Sequence, residues 1–141
     1  MHHRLYLHLA WTTQDRARLI DESVARFLRG FLRALARKER AYILEIGLVQ
    51  THVHVLLRIH PTASIPRLVQ RLKGASSAVA AQRGYAPGGL LLRWSKGYSI
   101  QSVSHRGLDT VRLYLRQQPH HHPDEAIAGW TGDDPEYDRT G

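Results

Sequence analysis

The fold is organised around one stretch, Thr51-His52-Val53-His54-Val55-Leu56-Leu57-Arg58-Ile59, in which side chains alternate as they do in a β-strand. One predicted face is apolar and consists of Val53, Val55, Leu57 and Ile59. The other face carries His52, His54 and Arg58. Two imidazoles that lie two residues apart on a strand point the same way, so they can share one metal ion or one phosphate. Plain surface histidines give the same pattern, and the stretch alone does not separate the two interpretations.

The segments around this strand predict three more strands and three helices. Strands are expected at residues 4–11, 41–49 and 98–103, with a short hairpin through residues 50–51. Helices are expected at residues 21–40, 64–80 and 109–119, because apolar residues recur there at helical spacing. Asp21 and Ser64 are suitable N-caps for the first two helices.

The predicted order is strand, helix, strand, strand, helix, strand, with an additional C-terminal helix. This is the split βαβ plan of a ferredoxin-like α+β domain, in which an antiparallel sheet carries both long helices on one face. The opposite face is expected to be open, as in sheets that bind single-stranded nucleic acid. Its predicted residues are Arg4, Tyr6, His8, Glu45, His52, His54 and Arg58.

Composition indicates the class of partner. The 141 residues include 20 Lys and Arg against 12 Asp and Glu, and half of the acids lie after residue 122. Residues 1–122 are therefore strongly basic and favour nucleic acid as the partner, because cations that neutralise phosphates release counterions. Without cysteine, disulfides, thiolate metal sites and a cysteine nucleophile are excluded. We expect one domain over residues 1–122, and a loosely ordered acidic tail over residues 123–141.

No apolar run reaches membrane-spanning length, and the N-terminus has no apolar stretch typical of a signal peptide. We therefore expect a cytoplasmic protein without a membrane partner.

Two histidines supply only part of a metal site, and the last predicted helix offers a third donor. Tyr114 and Gln118 are four positions apart, so a metal bound by the amide oxygen of Gln118 would lie near the Tyr114 hydroxyl. A phenol is a weak nucleophile at neutral pH, since its ordinary pKa is about 10, but a metal at the scissile phosphate could offset this. Packing against Val111 and Leu115 would explain Tyr114 equally well.

Taken together and in order, several segments resemble the single-tyrosine HUH transposases of bacterial insertion sequences, which include the REP-associated tyrosine transposases. The matching segments are residues 8–13 (HLAWTT), 52–54 (HVH), 72–77 (LKGASS), 94–98 (WSKGY) and 114–118 (YLRQQ). One departure is Thr51, because the family usually has Asp or Asn immediately before the first histidine.

The resemblance implies that His52, His54 and Gln118 hold Mg²⁺ or Mn²⁺, with Gln117 as a substitute ligand. Tyr114 would attack a phosphodiester of single-stranded DNA and form a 5′-phosphotyrosine link with a free 3′-hydroxyl. The implied partners are hairpin-bearing single-stranded DNA and a second copy of the chain. Predicted DNA contacts are Arg4, Tyr6, Arg58, Arg67, Arg71, Lys73 and Ser76.

Three alternatives remain open. A domesticated REP-associated relative would cut hairpin DNA without mobilising its own gene. A non-catalytic nucleic-acid-binding module would retain all function after Tyr114→Phe. A metal-dependent hydrolase using His52 and His54 would release products to water and leave no DNA linked to protein.

Overall fold

A computed structural model of the chain describes residues 5–130 and contains one four-stranded sheet with four α-helices. The elements are β1 (Leu5–Thr12), α1 (Glu22–Lys38), β2 (Ala41–Val49), β3 (His52–Ile59), α2 (Ile65–Gln82), β4 (Ser99–Val103), α3 (Leu108–Arg116) and α4 (Gln118–His121). Short 3₁₀ turns lie at Gln14–Arg16, Pro87–Gly89, His105–Gly107 and Pro123–Glu125. Within residues 5–130, no helix has the length and apolar content needed to cross a membrane.

The strands are ordered β2-β3-β1-β4, and all three neighbouring pairs are antiparallel. β1 and β3 are central, and the Ala10–His54 pairing brings the first strand beside the histidine strand. The order and direction of the strands confirm the predicted split βαβ plan.

Both long helices cover one face of the sheet, as predicted. Side chains of α1 and α2 pack with the apolar residues of the strands in one core, which includes Leu9, Leu28, Val55, Leu57 and Leu72. Each helix begins at the expected cap. Asp21 accepts a hydrogen bond from the Val24 amide, and Ser64 accepts one from the Arg67 amide.

A β-bulge between Ile43 and Glu45 changes the face assignment of β2. Strict alternation along residues 41–49 predicts one core face with Tyr42, Leu44, Ile46 and Leu48, and an opposite face with Glu45 and Gly47. The extra residue shifts the register, so Ile43 opposes Leu57 on the core face, while Leu44 joins the apolar cluster on the other face. Glu45 and Gly47 lie on that second face, as the sequence predicted.

The second face of the sheet is not open, and the prediction that it would be is wrong. α3 lies across it, and Leu115 packs with Tyr6, Leu44 and Leu56 in a small second cluster. Gly47 permits this close approach, because an added Cβ there would lie 2.4 Å from the Leu115 carbonyl oxygen. The helix that carries Tyr114 is therefore seated on the strands that carry the histidines.

Residues 123–130, placed in the predicted acidic tail, pack against the domain. Ile127 is buried in the main core, and the Arg29 guanidinium lies over the Trp130 ring at 4.4 Å. The backbone N–H of Gln50 donates to the backbone carbonyl of Glu125 at 2.8 Å, which fixes this segment to the β2–β3 turn. Residues 131–141 of the tail lie outside the described residues.

Candidate active site

The histidines of β3 and the tyrosine of α3 come together on the second face of the sheet. The ring centroids of His52 and His54 are 5.1 Å apart, and that of Tyr114 is 6.1 Å from His54. Tyr114 also lies 6.4 Å from His8 on β1. The Tyr114 side chain is 41% exposed, so an incoming strand can reach it while its ring borders the histidines.

Gln118 also lies beside the histidines, but it follows a helix break that the sequence did not predict. The i, i+4 prediction assumed one continuous helix, but α3 ends at Arg116 and Pro119 follows in the first turn of α4. The intervening Gln117 is exposed, whereas Gln118 is fully buried. The Gln118 Oε1 atom lies 3.3 Å from Nε2 of His52, which makes Gln118 rather than Gln117 the third candidate ligand.

Hydrogen-bond donors around His52 test whether this set fits a cation. The Thr51 hydroxyl lies 2.7 Å from Glu125 Oε2 and 3.0 Å from His52 Nδ1. While that single proton goes to the carboxylate, the hydroxyl oxygen can accept only from an Nδ1–H of His52. In that tautomer the lone pair of Nε2 faces the Gln118 amide oxygen at 3.3 Å, and a cation between the two atoms satisfies both; in the other tautomer Nε2 donates to that oxygen. The donor set therefore fits a metal ion.

Burial keeps the histidines neutral. Desolvation, with smaller contributions from His52, His8 and His122, lowers the pKa of His54 to about 3. Desolvation also lowers the pKa of His52 and of His8. A neutral imidazole has the lone pair that metal binding requires. Within residues 5–130, no group of three or more His, Asp or Glu side chains could hold a metal ion, so the third donor depends on the amide of Gln118.

A groove of about 400 Å³ opens beside the histidine pair. Its lining includes His52 and His54, together with Arg16, Lys96 and His122. Sequence reasoning did not select these three residues for the site. Arg16 ends the 3₁₀ turn that follows β1, and His122 follows α4. In the structure the His122 ring lies 4.9 Å from that of His52, and His121 lies 4.8 Å from Tyr114.

Two predicted DNA contacts are wrong because their side chains are buried. Tyr6 is 7% exposed and packs beneath α3 in the second cluster. Ser76 is fully buried, and its hydroxyl accepts a hydrogen bond from the Trp94 indole. The error for Tyr6 follows from expecting an open face, since α3 was not predicted to cover it.

The predicted DNA contacts on α2 differ in whether their charged groups are accessible. Lys73 donates from Nζ to the carbonyls of Ser95 at 2.7 Å and Gly97 at 2.8 Å, so it secures the loop that borders the groove. Arg67 and Arg71 are exposed and both pair with Glu39. These two remain accessible to a phosphate.

Arg58 stands apart from the histidines, although all three lie on the same strand. Its guanidinium lies 5.2 Å from the ring centroid of Tyr42. Arg4 lies outside the described residues.

A buried carboxylate fastens α3 to the sheet. Glu45 is 1% exposed, and its oxygens lie 3.0 Å from Arg116 Nε and 3.5 Å from Arg112 Nε. Burial raises the pKa of Glu45, while both arginines oppose this and favour the charged form. Together with the Gly47 contact, this pair of ion pairs positions the helix that presents Tyr114.

Comparison with known proteins decides the family. Residues 1–118 match the family model described as Transposase IS200 like. The chain belongs to the IS200-like transposase family. It is 30% identical over 121 residues to the ISDra2 transposase TnpA of Deinococcus radiodurans, an alignment that covers 82% of this chain and 85% of that protein.

Two solved structures share the fold of this family member. A crystal structure from Deinococcus radiodurans R1, assigned to a transposase, has a TM-score of 0.66 at 24% identity and covers 91% of this chain and 95% of its own. A REP-associated tyrosine transposase bound to a REP hairpin has a TM-score of 0.65 at 11% identity and covers 86% of this chain and 72% of its own. Both support the α+β sandwich.

Proposed function

We propose that this family member cleaves and rejoins single-stranded DNA at hairpin-bearing ends, with Tyr114 as the nucleophile. One observation carries the proposal: the Tyr114 ring lies beside the neutral imidazole of His54, and the adjacent imidazole of His52 faces the Gln118 amide oxygen. An accessible phenol next to three metal donors is suited to phosphoryl transfer, and structural packing alone does not require that arrangement.

The proposed reaction is a transesterification. The Tyr114 phenolic oxygen attacks the scissile phosphorus and forms a phosphotyrosine bond as the bond to the 3′-oxygen breaks. The phenol loses its proton, and the departing 3′-oxygen gains one to become a hydroxyl. A 3′-hydroxyl of another strand can reverse the step, so joining needs no nucleotide triphosphate.

His52, His54 and Gln118 would hold a divalent ion, Mg²⁺ or Mn²⁺. When bound, that ion would polarise the phosphoryl oxygens of the scissile phosphate. Desolvation lowers the pKa of His54 and of His52, so both imidazoles are available as ligands at neutral pH. The amide of Gln118 adds an oxygen donor, which hard divalent ions prefer.

Single-stranded DNA with hairpins is the proposed partner. The groove beside the histidines carries Arg16 and Lys96, and the domain is strongly basic. Cations along such a groove neutralise phosphates in a sequence-independent way. The REP-associated structural neighbour, which is bound to a hairpin, supports the same class of partner.

A homodimer is proposed from the β4 edge of the sheet, which pairs with no further strand within residues 5–130. β4 is the outermost strand, and residues 99–102 are exposed, with Ile100 at 40%. An edge strand with an apolar residue can pair with a second copy of itself.

The proposed location of the protein is the cytoplasm, where such DNA is found.

The test uses single-stranded DNA from the ends flanking the gene, labelled at either end and incubated with Mn²⁺. A denaturing gel should show a protein-linked band with the DNA 3′ of the cut, and a released fragment that ends in a 3′-hydroxyl. Tyr114→Phe should abolish the linked band, whereas Tyr42→Phe, a matched change of an exposed tyrosine that does not line the groove, should retain it.

Other outcomes would identify the alternatives. Cleavage without a linked band would indicate a hydrolase, and tight hairpin binding without cleavage would indicate a binding module. The structural match to a REP-associated transposase favours one second candidate, a domesticated hairpin nuclease. That candidate predicts cleavage of hairpin DNA but no transfer between matching element ends.

A further inference from the structure

Each candidate ligand histidine has its Nδ1 atom engaged by a neighbouring side chain. Nδ1 of His54 lies 2.8 Å from Nε2 of His8. Nδ1 of His52 lies 3.0 Å from the Thr51 hydroxyl and 3.4 Å from Glu125 Oε2. Neither His8 nor Glu125 belongs to the proposed ligand set. Both lie on the side of the rings away from the atoms that would bind a metal.

The bond between His8 and His54 admits two neutral arrangements. If His54 donates from Nδ1, its Nε2 has a free lone pair. If His8 donates from Nε2, the proton of His54 is on Nε2 and that atom is no longer a ligand. Metal binding through Nε2 of His54 therefore requires His8 to act as the acceptor.

The contacts of Thr51 favour one of the two neutral arrangements of His52. Glu125 takes the hydroxyl proton at 2.7 Å, and this hydrogen bond is the main reason that the pKa of Glu125 is lowered. The hydroxyl oxygen can then accept only from an Nδ1–H of His52, and this tautomer leaves Nε2 free and facing Gln118. The other tautomer donates from Nε2 to the Gln118 amide oxygen and forgoes the contact with Thr51. Glu125 is held for this role by its carbonyl contact with the Gln50 amide.

We infer that His8 and the Thr51–Glu125 pair are positioning residues, which hold His54 and His52 in the tautomer with Nε2 free for the metal. The inference rests on the proposed function, because it assumes His52, His54 and Gln118 as ligands. It assigns a role to Glu125, which lies beyond the 118 residues matched by the family model. It also gives Thr51 a function, because the Thr51 hydroxyl links the Glu125 carboxylate to Nδ1 of the His52 ring.

The substitutions follow from hydrogen-bond chemistry. His8→Gln keeps an acceptor, whereas His8→Phe removes it at similar bulk. Thr51→Val removes the hydroxyl and preserves the shape of the side chain. His60→Phe is the matched control, because His60 is an exposed histidine that bonds Thr62 at the end of β3. His54→Ala removes a proposed ligand outright.

The first measurement is Mn²⁺ affinity of metal-stripped protein, read from the free-ion signal in electron paramagnetic resonance. Loss of an outer partner of a metal-binding histidine typically weakens binding about 10- to 100-fold. We expect a loss of that size for His8→Phe and Thr51→Val, and less than about threefold for His8→Gln and His60→Phe. Wild-type affinity in both His8→Phe and Thr51→Val, with binding lost in His54→Ala, would overturn the inference and leave the metal site in place.

The second measurement is independent of metal. Nitrogen-15 spectra of the metal-free protein report which ring nitrogen carries the proton. Nδ1 protonation of His52 and His54 is expected in the wild type, with His54 changing to a mixture in His8→Phe. Protonation at Nε2 in the wild type would overturn the inference whatever the Mn²⁺ data show. Unchanged Mn²⁺ binding in His54→Ala would instead reject the proposed metal site itself, together with this inference.

Discussion

Replacing Gly47 with alanine should separate the nucleophile from its site. The new Cβ would lie 2.4 Å from the Leu115 carbonyl oxygen and 2.8 Å from Cγ of Gln118. Ordinary contact begins at 3.4 Å, so something must move by about 1 Å. Because the closest atom is helix backbone, α3 must move as a unit. Tyr114 moves with it, and Gln118 on α4 is displaced by its own contact with the new Cβ.

We expect this shift to affect catalysis more than stability. Misplacement of reacting groups by about 1 Å can cost about 100-fold in rate. Overpacking of a tight contact costs about 1–3 kcal/mol of folding free energy. The assay is the single-turnover rate of the protein–DNA link, measured with protein in excess, together with urea unfolding of the same preparations.

The control is Gly30→Ala in α1, where an added Cβ meets nothing within 4 Å. Alanine in a helix interior is favoured over glycine by about 0.5–1 kcal/mol, so this variant should be slightly more stable and cleave normally. A Gly47→Ala protein with the wild-type rate and stability would refute the reasoning, because α3 would then not lie against β2 as described.

Three further predictions concern the surroundings of the site. Glu45→Gln should cost about 1–3 kcal/mol in urea unfolding, because a carboxylate that is 1% exposed loses its charge interaction with two arginines. Glu39→Gln should cost less than about 1 kcal/mol, because the Glu39 side chain is 13% exposed and both of its arginine partners lie in solvent. Equal costs would contradict the role of Glu45 in fastening α3. In metal-free protein, the lowered pKa of His54 means that the unfolded chain binds more protons than the folded one. The contribution of His54 to the free energy of unfolding should therefore be fully present above about pH 6.5 and decrease as the pH falls toward 3. His54→Gln should flatten that decline in urea titrations, and an unchanged decline would count against the prediction. Lys73→Met should leave the salt dependence of DNA binding unchanged, because the Nζ atom of Lys73 is engaged by two carbonyls. Arg71→Gln should reduce the slope of log affinity against log salt concentration by about one. A reduced slope for Lys73→Met would mean that Lys73 contacts phosphate.

Local patterns were sufficient to predict most of the fold. Alternation in β3, helical spacing in α1 and the caps at Asp21 and Ser64 all act within a few residues, and the structure confirms each of them. The bulge after Ile43 was not predictable in this way, because it depends on how β2 pairs with β3 and leaves no mark in the alternation.

The site was predicted less completely than the fold. His52, His54, Tyr114 and Gln118 were identified from spacing and resemblance, and the structure brings all four together. Their surroundings depend on long-range packing. The cover provided by α3 buries Tyr6, and the return of residues 123–130 brings Glu125 to Thr51.

Mapping the covalent link in the trapped protein–DNA complex tests the central claim most directly. The complex formed with Mn²⁺ would be digested with nuclease and protease, and tandem mass spectrometry would locate the retained nucleotide. The account predicts a nucleotide linked through its 5′-phosphate to Tyr114, in the peptide of residues 113–116. No such peptide should come from Tyr114→Phe protein. A nucleotide on any other residue, or a linked complex that forms equally well in Tyr114→Phe, would contradict it.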